Sequence, residues 1–121
     1  MGIALSLELI YNPNCSKCIK TLSIIEAHGY KPSLIYYLDI PLTSSFLNNL
    51  ITKLNIQLLD LLRSNESEYN IDNLSSKNDD ELLLYIISNP ILIQRPIAIY
   101  GDRAIICRPP EKVLDLLKVL K

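Results

Sequence analysis

Two residues separate Cys15 from Cys18 in the stretch Tyr11-Asn12-Pro13-Asn14-Cys15-Ser16-Lys17-Cys18, and the pair stands where an apolar run gives way to a helical pattern. A cysteine at a helix N-terminus meets unpaired backbone N–H groups and the positive end of the helix dipole. Both favour thiolate over thiol and lower the thiol pKa by one to several units from about 8.5, which turns a weak nucleophile into a strong one. Cys15 occupies that end and is the candidate catalytic thiol. Zinc binding is the competing chemistry, but a zinc site wants four ligands and two cysteines supply half of them. The third cysteine, Cys107, and the single histidine, His28, are distant in sequence, and His28 falls at the far end of the helix that Cys15 begins. No metal is expected. The pair either carries redox or nucleophilic chemistry or is structural.

Three arginines stand at element boundaries, where a side chain can turn inward instead of joining the solvated surface that most arginines occupy. Arg63 follows the apolar pair Leu61-Leu62. Arg95 precedes Pro96 at the entrance to a strand, where an Arg-Pro peptide is a candidate cis bond. Arg108 lies between Cys107 and the break at Pro109-Pro110. Guanidinium groups gathered around a thiolate bind a tetrahedral oxyanion through forked hydrogen bonds and hold the sulfur charged. Lys17 reads as a solvated first-turn charge that acts weakly on Cys15, and Cys107 as a buried strand-end residue.

Leu7 to Tyr11 has the composition of a buried strand and is stopped by Asn12-Pro13. From Ser16 the spacing of Ile19, Leu22, Ile25 and Ala27 predicts a helix, with Gly29 just past its end as a C-terminal cap. Ser33 to Leu38 reads as a second strand, completing a βαβ unit. Past Pro41 the pattern is helical. Thr43 or Ser44 can cap a helix bearing Phe46, Leu47, Leu50 and Leu54, and a shorter helix follows at Leu58 to Leu62. A polar loop spans Asn65 to Asn78. Asp79-Asp80-Glu81 opens a further helix that ends at Asn89-Pro90. Ile97 to Tyr100 and Ala104 to Cys107 flank the turn Gly101-Asp102-Arg103, and Glu111 to Leu120 closes the chain as an amphipathic helix. The order β-α-β, helical insertion, β-β-α is the thioredoxin-like α/β arrangement: a single domain over 1–121 with an insertion at about 42–90. In such folds a cis-proline at the strand entrance, here Pro96, faces the reactive thiol.

The 121 residues, 49% of them apolar, suffice for one core without disulfide staples. With 12 basic against 13 acidic residues there is no global field to draw the chain to nucleic acid or to an anionic membrane. No apolar run approaches the roughly 18 residues of a membrane span, and the apolar opening lacks the basic flank of a signal peptide. An odd number of cysteines suits a reducing cytoplasm. A monomer is expected.

The chain resembles the glutaredoxin-dependent arsenate reductase (ArsC) family, including its small uncharacterised relatives, over about Leu7 to Leu117. Asn12-Pro13-x-Cys15 matches the family's active-site motif, and Leu61-Leu62-Arg63-x-Asn65-Glu66-x-x-Tyr69 the segment carrying a first substrate arginine. Asn89-Pro90-Ile91-Leu92-Ile93-x-Arg95-Pro96 matches the second such segment, and Cys107-Arg108-Pro109 the third. The resemblance implies that Cys15 attacks arsenate held by Arg63, Arg95 and Arg108, with Asn12 and the N–H groups after Cys15 as further donors. It implies no bound cofactor, glutathione and glutaredoxin as electron donors, and Glu66 and Tyr69 as braces of the first arginine segment. The chain departs from the best-studied members at Tyr11, where they carry histidine, and at Ile19, where they carry arginine. At Cys18 a thiol replaces a hydroxyl and could resolve Cys15 as an internal disulfide. Two other functions stay open: a general thiol-disulfide oxidoreductase using Cys15 and Cys18, and a thiol-switch regulator of the Spx type that binds RNA polymerase.

Overall fold

The computed structural model describes residues 6–62 and 77–120, so Arg63, Glu66, Tyr69 and nearly all of the expected 65–78 loop lie outside the described residues. The chain gathers into two compact units. One contains the residues up to Tyr37 and those from Arg95 onward, and the other spans Leu38–Gln94.

The first unit is built on a mixed sheet of β1 (Leu7–Ile10), β2 (Ser33–Ile35), β3 (Ile97–Tyr100) and β4 (Arg103–Ile106), in the order β2-β1-β3-β4. β1 and β2 run parallel in the register Leu9↔Leu34, which requires a crossover, and α1 (Ser16–Ala27) supplies it. β3 is antiparallel to β1, with Ile10 opposite Ile97. The C-terminal end of β1 and the N-terminal end of β3 therefore reach the same edge of the sheet. Gly101 at φ +61° opens a two-residue hairpin loop of the II′ kind, fixing Tyr100 opposite Arg103 and Ile97 opposite Ile106. With α4 (Val113–Leu117), α1 covers one face of the sheet. Leu9, Tyr11, Cys18, Ile25, Ala98, Cys107, Val113 and Leu116 form the core between them. Short 3₁₀ turns at Pro110–Lys112 and Lys118–Leu120 flank α4, so only the middle of the expected C-terminal helix is α-helical.

Helix α1 ends as its sequence predicts. Gly29, at φ +87°, donates its N–H to the Glu26 carbonyl at 3.0 Å, and Tyr30 donates to Ile25 at 3.2 Å, a Schellman closure that needs the left-handed residue. Its buried face departs from the expected one at Ile19, while Leu22 packs against the core as its spacing predicts. Cys18, Thr21 and Ile25 face inward, while Ile19 is 48% exposed. Thr21 counts as apolar here because its hydroxyl donates to the Lys17 carbonyl at 2.8 Å, which satisfies it within the helix. Strand β2 is also shorter than the apolar run Leu34 to Leu38. The Tyr37 N–H turns back onto the Ile35 carbonyl at 3.0 Å, ending the ladder, and Tyr36 is left exposed.

The second unit is helical. Thr43 caps α2 (Ser44–Leu54) by accepting the Phe46 N–H at 3.0 Å, and Asn55 ends it in the left-handed region. Asn78 and Glu81 form a reciprocal capping box at the start of α3 (Asp79–Ser88). Leu47, Leu50, Leu58, Leu61, Leu82 and Ile86 are buried. An isolated bridge pairs Leu62 with Ile93, and the Gln94 N–H donates to the Leu61 carbonyl at 2.8 Å. Residues 61–62 thus run beside residues 93–94.

Candidate active site

The loop between β1 and α1 is shaped by Asn12. Its side-chain oxygen accepts the Asn14 N–H at 2.9 Å and its carbonyl accepts the Cys15 N–H at 3.0 Å. These two bonds turn the chain through Pro13 and Asn14 into the helix. Asn12 is buried and acts first on the loop, with its amide Nδ2 as the donor of that side chain. Cys15 is the N-cap, extended at φ −107° and ψ 119°, and its carbonyl accepts the first helical bond from Ile19 at 3.1 Å. Its sulfur is half-buried at the positive end of α1.

Burial of that sulfur opposes ionisation, but the opposing influences prevail. The N–H of Cys18, the Cys18 thiol, the N–H of Lys17 and the Arg95 guanidinium all favour the charged form, and the Cys15 thiol is held below its ordinary range. The sulfur makes no full capping hydrogen bond to the helix. Its stabilisation comes from N–H groups directed at it without closing to ideal geometry.

Cys18 sits one turn on, with no exposed surface. Burial, reinforced by the Cys15 hydrogen bond and charge, pushes its thiol up to about 12, against the pull of the Asn12 N–H and of Arg95. The two cysteines thus differ: Cys15 is partly exposed with its thiol held below its ordinary range, and Cys18 is buried with its thiol pushed up. Cys107 is buried too, its sulfur donating to the Ile105 carbonyl at 3.6 Å, and burial likewise pushes it up to about 12. Among the described residues no three His, Cys, Asp or Glu side chains converge as a metal site would require. Tyr11, where the resemblance would put histidine, packs edge-on against Tyr36 with ring centroids 6.0 Å apart. Burial first, and then the neighbouring sulfurs, raise its own pKa.

The hairpin places two of the arginines. Its pairing continues past Ile97 and Ile106, since the Cys107 N–H donates to the Pro96 carbonyl at 2.9 Å and Arg108 Nε donates to the Arg95 carbonyl at 2.9 Å. Arg95 and Arg108 therefore stand opposite one another at the open end of the hairpin. Both are followed by cis-proline, at Arg95–Pro96 and at Arg108–Pro109. The second cis bond has no counterpart in the sequence expectations, although the repeated Arg-Pro dipeptide signals it. Arg95 is 7% exposed and acts on both Cys15 and Cys18. Arg108 has its Nε fixed on the backbone of Arg95. Asn12, Cys15, Cys18, Arg95, Pro96 and Arg108 thus share one unit, and Arg63 lies outside the described residues. A half-buried thiol held below its ordinary range, with a guanidinium acting on it, is equipped to attack an anionic centre whose charge the guanidinium neutralises.

The sequence profile of the ArsC family matches residues 10–116. Over 113 residues the chain is 34% identical to the uncharacterized protein YfgD of Escherichia coli (strain K12), an alignment covering 91% of this chain and 95% of that one. An arsenate reductase of Yersinia enterocolitica is 36% identical over 114 residues, covering 93% of this chain and 81% of its relative. The solved structure of an arsenate reductase from Vibrio cholerae matches with a TM-score of 0.85 at 34% identity, over 93% of this chain and 98% of that one.

Proposed function

The chain belongs to the ArsC family, and on that premise we propose that it is an arsenate reductase, a thiol-dependent oxidoreductase working in the cytoplasm with glutathione and glutaredoxin as its source of electrons. The Cys15 thiolate attacks arsenic(V) of dihydrogen arsenate. An arsenate oxygen takes a proton and leaves as water, and a Cys15–S–As bond forms. Two thiols must then be oxidised for arsenic to accept two electrons and depart as arsenite. Arg95 and Arg108, joined by Arg63 on the strength of the family motif, offset the negative charge of the oxyanion so that an anionic sulfur can approach it. Asn12 orients the loop that presents the sulfur.

One observation carries this reading: Cys15 caps α1 with its thiolate favoured by the helix N–H groups and by Arg95, in a chain more than one-third identical to an arsenate reductase. The test is arsenate-dependent NADPH oxidation in a coupled system of glutathione, glutaredoxin and glutathione reductase. Turnover is expected with the native chain and should vanish with Cys15→Ser, while Arg95→Ala should raise KM for arsenate by about tenfold or more. Absence of arsenite with the native chain overturns the reading. The approach of Cys18 to Cys15 also favours a second function, general thiol-disulfide exchange; reduction of insulin or of a mixed disulfide that needs both cysteines, without arsenate turnover, would select it.

A further inference from the structure

Resting on the reading of Cys15 as the arsenate nucleophile, we propose that Cys18 is the second thiol of the reaction: it displaces arsenite from the Cys15 adduct and leaves a Cys15–Cys18 disulfide for glutathione and glutaredoxin to reopen. The geometry carries this. Cys15 is the N-cap and Cys18 the third residue of α1, so they lie within one helical turn, and their side chains interact. Cys18 has no exposed surface, which denies it arsenate and external thiols and leaves the Cys15 sulfur as the electrophile that the helix puts before it. Burial keeps the Cys18 thiol protonated in the resting chain, and against it the backbone N–H of Asn12 and the guanidinium of Arg95 act on the sulfur in the direction that favours negative charge.

The step balances. The Cys18 sulfur forms a bond to the Cys15 sulfur, and the S–As bond breaks with its electron pair remaining on arsenic, which passes from +5 to +3. The Cys18 proton moves to an arsenite oxygen, and both sulfurs are oxidised to the disulfide. Glutathione then attacks Cys15, the accessible sulfur, to give a Cys15–glutathione mixed disulfide and free Cys18. A second thiol, from glutathione or glutaredoxin, releases Cys15. An intramolecular thiol of this kind acts at an effective concentration that free glutathione does not reach.

The test is a single turnover of the fully reduced native chain with arsenate under argon, without glutathione, followed by acid quench, alkylation under denaturing conditions and mass spectrometry. Release of one arsenite per chain, with Cys15 and Cys18 lost to alkylation together and Cys107 still labelled, is the expected result. Cys18→Ser and Cys18→Ala should slow this glutathione-free release by a factor of order 100 and regain arsenite formation when glutathione is added. If the native chain releases arsenite only with glutathione present, and Cys18 stays open to alkylation throughout, the inference fails while the arsenate reading survives. If no arsenite forms under either condition, the arsenate reading fails and the resolving step falls with it. The native-chain measurement decides the matter even if both substitutions prevent folding.

Discussion

At neutral pH the reactivity of Cys15 is decided by a contest around one sulfur: burial pushes towards thiol, and two backbone N–H groups, the Cys18 thiol and Arg95 push towards thiolate. Removing Arg95 removes one stabilising charge, so the midpoint of Cys15 alkylation should move to higher pH in Arg95→Ala. The thiolate fraction at pH 7 should fall roughly three- to tenfold. Arg103→Ala, at the exposed start of β4, should leave the midpoint where it is. Iodoacetamide kinetics across pH 5 to 9 measure both, and an unmoved midpoint in Arg95→Ala would remove the guanidinium from the account of the thiolate. The placement of Cys15 at the helix start and of Arg95 before a cis-proline can be read from residue type and position, because a helix start and an Arg-Pro strand entrance are local features. The contrast between Cys15 and Cys18 cannot, since it depends on which side of α1 the core takes.

That choice belongs to the elements. Apolar spacing put Ile19 with Leu22 and Ile25 on the inner face of α1, and Leu22 and Ile25 do pack there. Ile19, however, is exposed, and the helix turns Cys18 and Thr21 inward, where small side chains permit close approach and the Thr21 hydroxyl is satisfied within the helix. Termini were more legible than faces, because caps act over a few residues: Gly29 and Thr43 serve as their sequence contexts indicate. The hairpin is the element on which the proposed oxyanion site depends. Its turn at Gly101 and Asp102 sets Arg95 opposite Arg108, so turn chemistry six residues away governs the site. Gly101→Ala, forced to keep φ near +61°, should cost about 1–2 kcal/mol, and Thr43→Ala about 1 kcal/mol through the lost cap. Urea unfolding followed by circular dichroism reads both. Only the Gly101 variant is expected to weaken binding of an oxyanion as well, and equal binding would detach the site from the register of the hairpin.

Across the whole molecule, two thiols sealed in the core tie stability to alkaline pH. Burial raises Cys18 and Cys107 to about 12 in the folded chain, above the 9.0 of an ordinary thiol. The unfolded chain therefore gives up these protons first. The stability gained by burying neutral thiols is complete below pH 9 and is lost as pH rises from 9 towards 12. Between pH 9 and 10.5 the loss should reach roughly 1–2 kcal/mol per thiol. Cys107→Ala, less stable at pH 8 because of the space it leaves, should lose less on moving to pH 10.5, so its urea midpoint should converge on that of the native chain; parallel declines would refute the linkage. No described helix is long and apolar enough to cross a membrane. By itself the sequence determined the alternation of strand and helix, the capping residues and the candidate thiol, because each is governed by neighbours within a turn of helix or a hairpin loop. Only the tertiary structure decided which cysteine is open and which is sealed, and that Arg108 grips the backbone of Arg95. Those outcomes depend on how α1 rolls on the sheet and on pairings between residues far apart in the chain, which local spacing does not encode.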